Sequence, residues 1–167
     1  MALRKIVTIP EEVLRKKAHK VTNFDKDLAT LVDDMFETMR QAPGVGLAAP
    51  QIAISQKVIV VEYAEDEEKK PKSFAVINPE IIKTSADTEF GIEGCLSIPN
   101  LVGEVERFSS VVVKGFNQSG KPIKIKASGW LARIFQHEID HLDGILFTDR
   151  ATRVWQPPQE EPAELPE

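Results

Sequence analysis

The stretch SGWLARIFQHEIDHLDG, residues 128–144, decides the reading of this chain. Ser128 is a helix-capping residue type, and Gly144 suits the position just past a helix C-terminus, so the spacing predicts a helix from Ser128 to about Leu142. Inside it stands the pattern HExxH. His137 and His141, four residues apart, fall on one face one turn apart, so both imidazoles can reach a single ion. Glu138 sits beside the first histidine and can reach a metal-bound water without ligating the metal. They are two of only three histidines, the other being His19. HExxH alone is common and supports only a generic metal site.

A third protein donor is needed. Asp140 and Asp143 share the helix but point off the histidine face; Asp140 is expected instead to accept an N–H from a ligand histidine. The one cysteine, Cys95, excludes an internal disulfide and would by default be a small buried hydrophobe. It lies in GIEGCLSIP, residues 91–99, where the glycines allow tight backbone geometry and Pro99 cannot continue a central ladder. Cys95 is therefore expected at a strand edge or in a loop. One thiolate and two imidazoles leave the fourth position of a tetrahedral ion open, as in a catalytic site; no second cysteine exists to close it.

Upstream, Pro10, Glu11 and Glu12 predict the start of a short helix through Leu14 and Ala18. Asp25 predicts the N-cap of a longer one whose buried face carries Leu28, Leu31, Val32, Met35, Phe36 and Met39. Residues 42–46 break that helix. Strands are expected over 57–63, 74–78 and 81–84, with Asn78-Pro79 as a turn. A hairpin follows over 110–117 and 122–126, turning at 118–120, and a last short strand over 145–147. Helices at both ends with strands between give an α+β fold, mainly antiparallel, packed around the C-terminal metal-binding helix. The catalytic domain is expected over 1–152. Residues 153–167, rich in Pro and Glu, are expected to form a mobile tail.

Hydrophobic residues at 42% place the chain among globular proteins, and no apolar run approaches the ~20 residues of a membrane span. The N-terminus lacks the apolar core of a signal peptide, so a cytoplasmic location is expected, with no membrane partner. A net charge of −5 argues against a nucleic-acid site. A phosphate cradle at Gly44–Gly46 is disfavoured, because neither a third glycine at dinucleotide spacing nor Gly-Lys-Ser/Thr follows.

Three blocks together resemble the bacterial-type peptide deformylases: GVGLAAPQ (44–51) matches G-x-G-x-A-A-x-Q, EGCLS (93–97) matches E-G-C-L-S, and QHEIDHLDG (136–144) matches Q-H-E-x-D-H-L-x-G. The resemblance implies hydrolysis of the N-formyl group of formylmethionyl nascent peptides, near the ribosome exit, with release of formate. It implies one divalent metal ion, ferrous iron first, with zinc, nickel or cobalt able to occupy the site. By position, Cys95, His137 and His141 become ligands and Glu138 the general base. Gln51 and the Leu96 N–H become oxyanion donors. Gly46, with Val45, would meet the formyl end of the substrate. Arg133 and Ile134 would lie near the methionine pocket, Arg133 either folding its stem over that pocket with its charge in water or simply facing solvent. Glu93 and Arg107 match positions that can pair beside the substrate. The rival reading is an HExxH zinc peptidase, whose usual third ligand is a His or Glu downstream rather than a Cys upstream.

Overall fold

In the computed structural model, which describes residues 2–158, two antiparallel sheets enclose one central helix. The chain begins with a single 3-10 turn, Glu12–Arg15, followed by helix α1, Lys26–Gln41. The expected first helix stops at that turn. Ala18 lies outside any helix and donates its N–H to Leu142 O at 2.8 Å, so the segment is tied to the end of the central helix. Asp25 caps α1 as expected, accepting from the Leu28 N–H at 3.1 Å.

Strands β1 (Gly46–Ala48), β2 (Val58–Tyr63), β3 (Lys72–Thr84), β4 (Thr88–Cys95), β5 (Ile98–Phe108), β6 (Ser110–Phe116) and β7 (Pro122–Ser128) follow. Then come the central helix α2 (Gly129–Leu142), the one-turn α3 (Phe147–Arg150) and β8 (Arg153–Trp155). The larger sheet has the order β1-β2-β3-β6-β7, the smaller β4-β5-β8.

Four expectations need correction. Asn78-Pro79 is not a turn between two strands: β3 runs through it, and the register against β6 shifts between Ile77 and Glu80. Asn78 adopts φ 52°, a left-handed conformation that asparagine tolerates, so the chain bulges rather than reverses. Residues 147–150 are helical, not a strand, with the Leu146 N–H bonded to Asp149 Oδ2. Ser128 occupies the N-cap of α2 but its side chain makes no cap hydrogen bond. Arg153–Trp155, expected in the tail, pairs with β5 (Val102↔Trp155), so the ordered domain extends past residue 152. The tail from 159 onward lies outside the described residues.

Period-2 burial explains the layering. Val111, Val113 and Ala127 of β6 and β7, with Ile59 and Val61 of β2, turn inward against Ala132, Phe135, Ile139 and Leu142 of α2. The opposite face of β2, Val58 and Val60, packs on Leu28, Val32, Met35 and Met39 of α1. A third cluster, Leu14, Ile98, Val105, Leu146 and Phe147, fastens the smaller sheet to the chain ends. So α2 is held between the sheets, and its histidine face looks toward the end of β4. Among the described residues no helix is long and apolar enough to cross a membrane.

Candidate metal centre

Three segments far apart in sequence meet at α2. His137, Glu138 and His141 come from the helix, Cys95 from the last position of β4, and Gln51 from the 3-10 turn Ala49–Ile52 that follows β1. One ligand atom from each of Cys95, His137 and His141 lies within 4.8 Å of the other two. Cys95 Sγ stands 3.3 Å from His141 Nε2. A soft thiolate with two imidazoles is a donor set that suits a borderline-soft divalent ion such as zinc or ferrous iron.

The remaining contacts aim these donors. His137 Nδ1 bonds Glu93 Oε1 at 2.9 Å, which fixes the ring and leaves Nε2 toward the centre. Glu93, not Asp140, thus receives the ligand histidine's N–H. Asp140 is occupied by Arg107 Nη1 and Arg150 Nε, both at 2.6 Å. Glu93 and Cys95 stand two residues apart at the end of β4, but the register against β5 shifts between Gly94 and Cys95, so strand alternation alone does not reveal Glu93. Arg107 and Glu93 form a buried two-pronged pair, with both bonds at 2.9 Å.

Arg133 is neither solvent-facing nor draped with its charge in water. It is 6% exposed, pairs with Glu93 Oε2 at 2.6 Å and donates to Val105 O and Glu89 O. Gly91 makes room for it: a Cβ there would lie 2.7 Å from the guanidinium carbon.

Gln51 is held at both ends of its amide. Its Oε1 accepts from the Ala48 N–H at 2.9 Å, and its Nε2 faces Ser97 Oγ at 3.2 Å and Cys95 Sγ at 3.5 Å. That places an N–H donor beside the Cys95 thiol. The same contacts single out Ser97, fully buried, as a residue the sequence reading passed over.

These groups open into a cleft of about 600 Å³. Val45, Gly46, Gln51, Cys95, Leu96, Arg133, Ile134, His137 and Glu138 all line it; His141 does not line it but keeps its ligand atom within 4.8 Å of those of Cys95 and His137. Beside Glu93, its other walls include the aromatic or apolar Tyr63, Ile92 and Trp130, and Trp130 lies against the Arg133 guanidinium. A mouth of apolar and aromatic side chains leading to a few convergent polar groups fits a peptide end carrying an apolar side chain.

The electrostatics favour a cation. Burial opposes a charge on His137, yet its bond to Cys95, the charge of Glu138 and its bond to Glu93 push its pKa up to about 10. His141 goes the other way. Burial, then the charges of His137 and Arg107, hold it well below the ordinary histidine value, so it is neutral and ready to ligate. Burial also raises Glu138, with the charge of Glu93 adding to it against His137 and Arg107, to about 7. Glu138 Oε1 is buried without a hydrogen-bond partner among the described residues. A buried, unpaired carboxylate oxygen beside three converging ligand atoms is what a metal-bound water would satisfy.

The sequence profile of polypeptide deformylases matches residues 3–156, nearly the whole described chain. The chain belongs to the polypeptide deformylase family. The family is metal-dependent, and the Cys/His/His cluster is where this member can hold its ion. The chain is 49% identical over 155 residues to peptide deformylase 1 of Bacillus subtilis, covering 93% of this chain and 94% of that one. To the deformylase of Natranaerobius thermophilus it is 52% identical, covering 93% and 96%. A peptide deformylase from Ehrlichia chaffeensis, solved in complex with actinonin, superposes with a TM-score of 0.87 at 36% identity, covering 92% of this chain and 91% of that one. The α+β architecture expected from sequence is thus the fold of solved deformylases.

Proposed function

We infer that this chain hydrolyses the formyl amide of formylmethionyl peptides, with Glu138 as the proton carrier and Gln51 and the Leu96 N–H as oxyanion donors. Deformylation is the activity of the family. The observation that supports these roles is the Gln51 amide standing 3.5 Å from Cys95 Sγ in the cleft that Cys95, His137 and Glu138 also line. A divalent ion, which Cys95, His137 and His141 would hold, would supply a water of lowered pKa and polarise the formyl oxygen.

Glu138 takes the proton of the attacking water. Its pKa of about 7 lets it hold that proton and then give it to the departing amine nitrogen, so one carboxyl group acts as base and then as acid. Gln51 Nε2 and the Leu96 N–H donate to the oxygen on which charge develops, each such donor being worth about 3 kcal/mol. Gln51 reaches this position without paying entropy in the reaction, because Ala48 and Ser97 already fix its amide. Gly46 and Val45 border the formyl end, and Ile134 with the stem of Arg133 borders the methionine side chain.

Ferrous iron is the proposed ion in the cell, with zinc, nickel or cobalt able to replace it. The proposed setting is the cytoplasm, where nascent chains leave the ribosome. A zinc-peptidase reading of HExxH is not favoured, because the match to deformylases runs along the chain and the third ligand is an upstream cysteine. The two are separated by assaying anaerobically prepared protein on formyl-Met-Ala-Ser and on a blocked internal peptide. Formate from the first and no cleavage of the second is expected. The opposite pattern would remove the proposal.

A further inference from the structure

Neither Asp140 nor Arg150 lines the cleft. Yet an unbroken file of charged contacts runs from them to a candidate ligand. Arg150, on α3, grips Asp140 with Nε on Oδ2 at 2.6 Å and Nη2 on Oδ1 at 3.0 Å. Asp140 Oδ2 also accepts from Arg107 Nη1 at 2.6 Å. The other edge of Arg107 holds both oxygens of Glu93, and Glu93 Oε1 accepts from His137 Nδ1. We propose that Arg150 is a positioning residue of the metal centre, setting the orientation of His137 through Asp140, Arg107 and Glu93. The proposal rests on the reading of Cys95, His137 and His141 as ligands.

The argument is geometric. A guanidinium is planar and rigid, so carboxylates on two of its edges fix its tilt. Glu93 and Asp140 occupy those edges of Arg107, whose side chain is 4% exposed beside Glu93 at 5%. Such groups have no water to replace a lost partner, so a shift at one is passed to the next. Asp140 is the link whose plane is otherwise loose, because a terminal carboxylate torsion is broad. The two-pronged grip of Arg150 fixes it. Arg150 itself is anchored because Phe147, the first residue of α3, is buried against Val105 and Ile98 of β5. The file carries three arginines, Arg107, Arg133 and Arg150, against the two carboxylates Glu93 and Asp140. Removing Arg150 would let Asp140 swing wholly toward Arg107 and change the pull on Glu93.

A merely structural pair predicts something else. Arg150 is 46% exposed, and an ion pair of that kind contributes little to stability. The test uses the full chain loaded with Co(II), comparing wild type, Arg150→Met, Arg150→Lys and Asp140→Asn. Loss of a direct partner of a metal-ligating histidine typically costs 10–100-fold in metal affinity. Three links beyond that direct partner, Glu93, Arg150→Met is expected to release cobalt to a chelator about 3–10-fold faster and to shift the cobalt visible spectrum. Asp140→Asn should act at least as strongly, and Arg150→Lys, which cannot grip with two prongs, should restore the behaviour only in part. A lowered melting temperature with an unchanged release rate and spectrum would overturn the relay and leave the ligand set standing. A wild-type chain that takes up no cobalt would overturn the ligand set itself, and the relay with it.

Discussion

Gly46 is the position where one methyl group separates the chemistry from the fold. A Cβ built there would lie 2.9 Å from both Cγ and Cδ of Glu138. Carbon atoms in contact rest about 3.5–4.0 Å apart, so in Gly46→Ala the Glu138 carboxylate must retreat by roughly 0.6 Å or more. It has nowhere easy to go, since Glu138 is 4% exposed. The backbone cannot yield either, because Gly46 is paired with Val61 across β1 and β2. A displacement approaching 1 Å in a catalytic group costs on the order of 100-fold. Gly46→Ala is therefore expected to lower kcat/KM for formyl-Met-Ala-Ser by about 30–100-fold while retaining one metal per chain. Stability should fall by about 1–3 kcal/mol from overpacking. Without the clash, alanine would instead stabilise the strand by about 0.5–1 kcal/mol over glycine. Formate release, metal content and urea unfolding on the same preparation decide the matter. A variant within threefold of wild-type activity and no less stable would refute the placement of Glu138 over Gly46.

Further outcomes follow from the same contacts. Glu138→Gln should keep the metal and lose about 10²–10⁴-fold in kcat, read by single-turnover formate release. The pKa of Glu138 is raised on folding to about 7, so the unfolded chain gives up this proton first and stability is lost as pH climbs from the ordinary carboxyl value toward 7. In metal-free protein Glu138→Gln should accordingly equal wild type near pH 4.5 and exceed it at pH 8, seen as melting temperatures that coincide in acid and diverge as pH rises. Arg107→Met strips a buried cation from Glu93 and Asp140 and should cost about 3–5 kcal/mol in urea unfolding, toward the lower end because Arg133 and His137 still hold Glu93. Metal binding must displace the proton that His137 otherwise holds up to about pH 10, while His141 is already neutral. Apparent Zn(II) affinity should then rise about tenfold per pH unit for each displaced proton between pH 6 and 9, measured by competition with a chelator.

Elements with strong local patterns were readable from sequence. The seven-residue spacing of Leu28, Leu31, Val32, Met35 and Met39 set α1, and His137 with His141 set α2 and its chemistry. The β6–β7 hairpin was legible because inward valines and isoleucines alternate with lysines. The β4–β5 hairpin was not. Phe90 and Ile92 are both more than half exposed, and Ile92 lines the cleft rather than a core, so their pattern does not mark a buried strand face. The bulge at Asn78 depends on a partner brought from elsewhere, Val21, whose N–H and carbonyl the Asn78 amide holds; the helical turn at Phe147 is closed locally by Asp149 on the Leu146 N–H, and that carboxylate is met by Arg15 from the start of the chain. For the same reason the ligand residues were visible in their motifs while their supports were not. Which carboxylate meets His137, Glu93 or Asp140, is settled by how β4 lies against α2, a long-range packing that no local spacing encodes. Arg133 went unread as a buried ion because its partners arrive from β4 and β5.

The central claim is that one divalent ion on Cys95, His137 and His141, with Glu138 beside it, hydrolyses the formyl amide. It is tested most directly by titrating metal-stripped protein with Fe(II) under anaerobic conditions and following formate release from formyl-Met-Ala-Ser. The rate should rise linearly and break at one equivalent per chain, and a Cys95→Ala chain should stay inactive throughout. Formate release by the stripped protein, or full activity of the Cys95→Ala chain, would contradict the account.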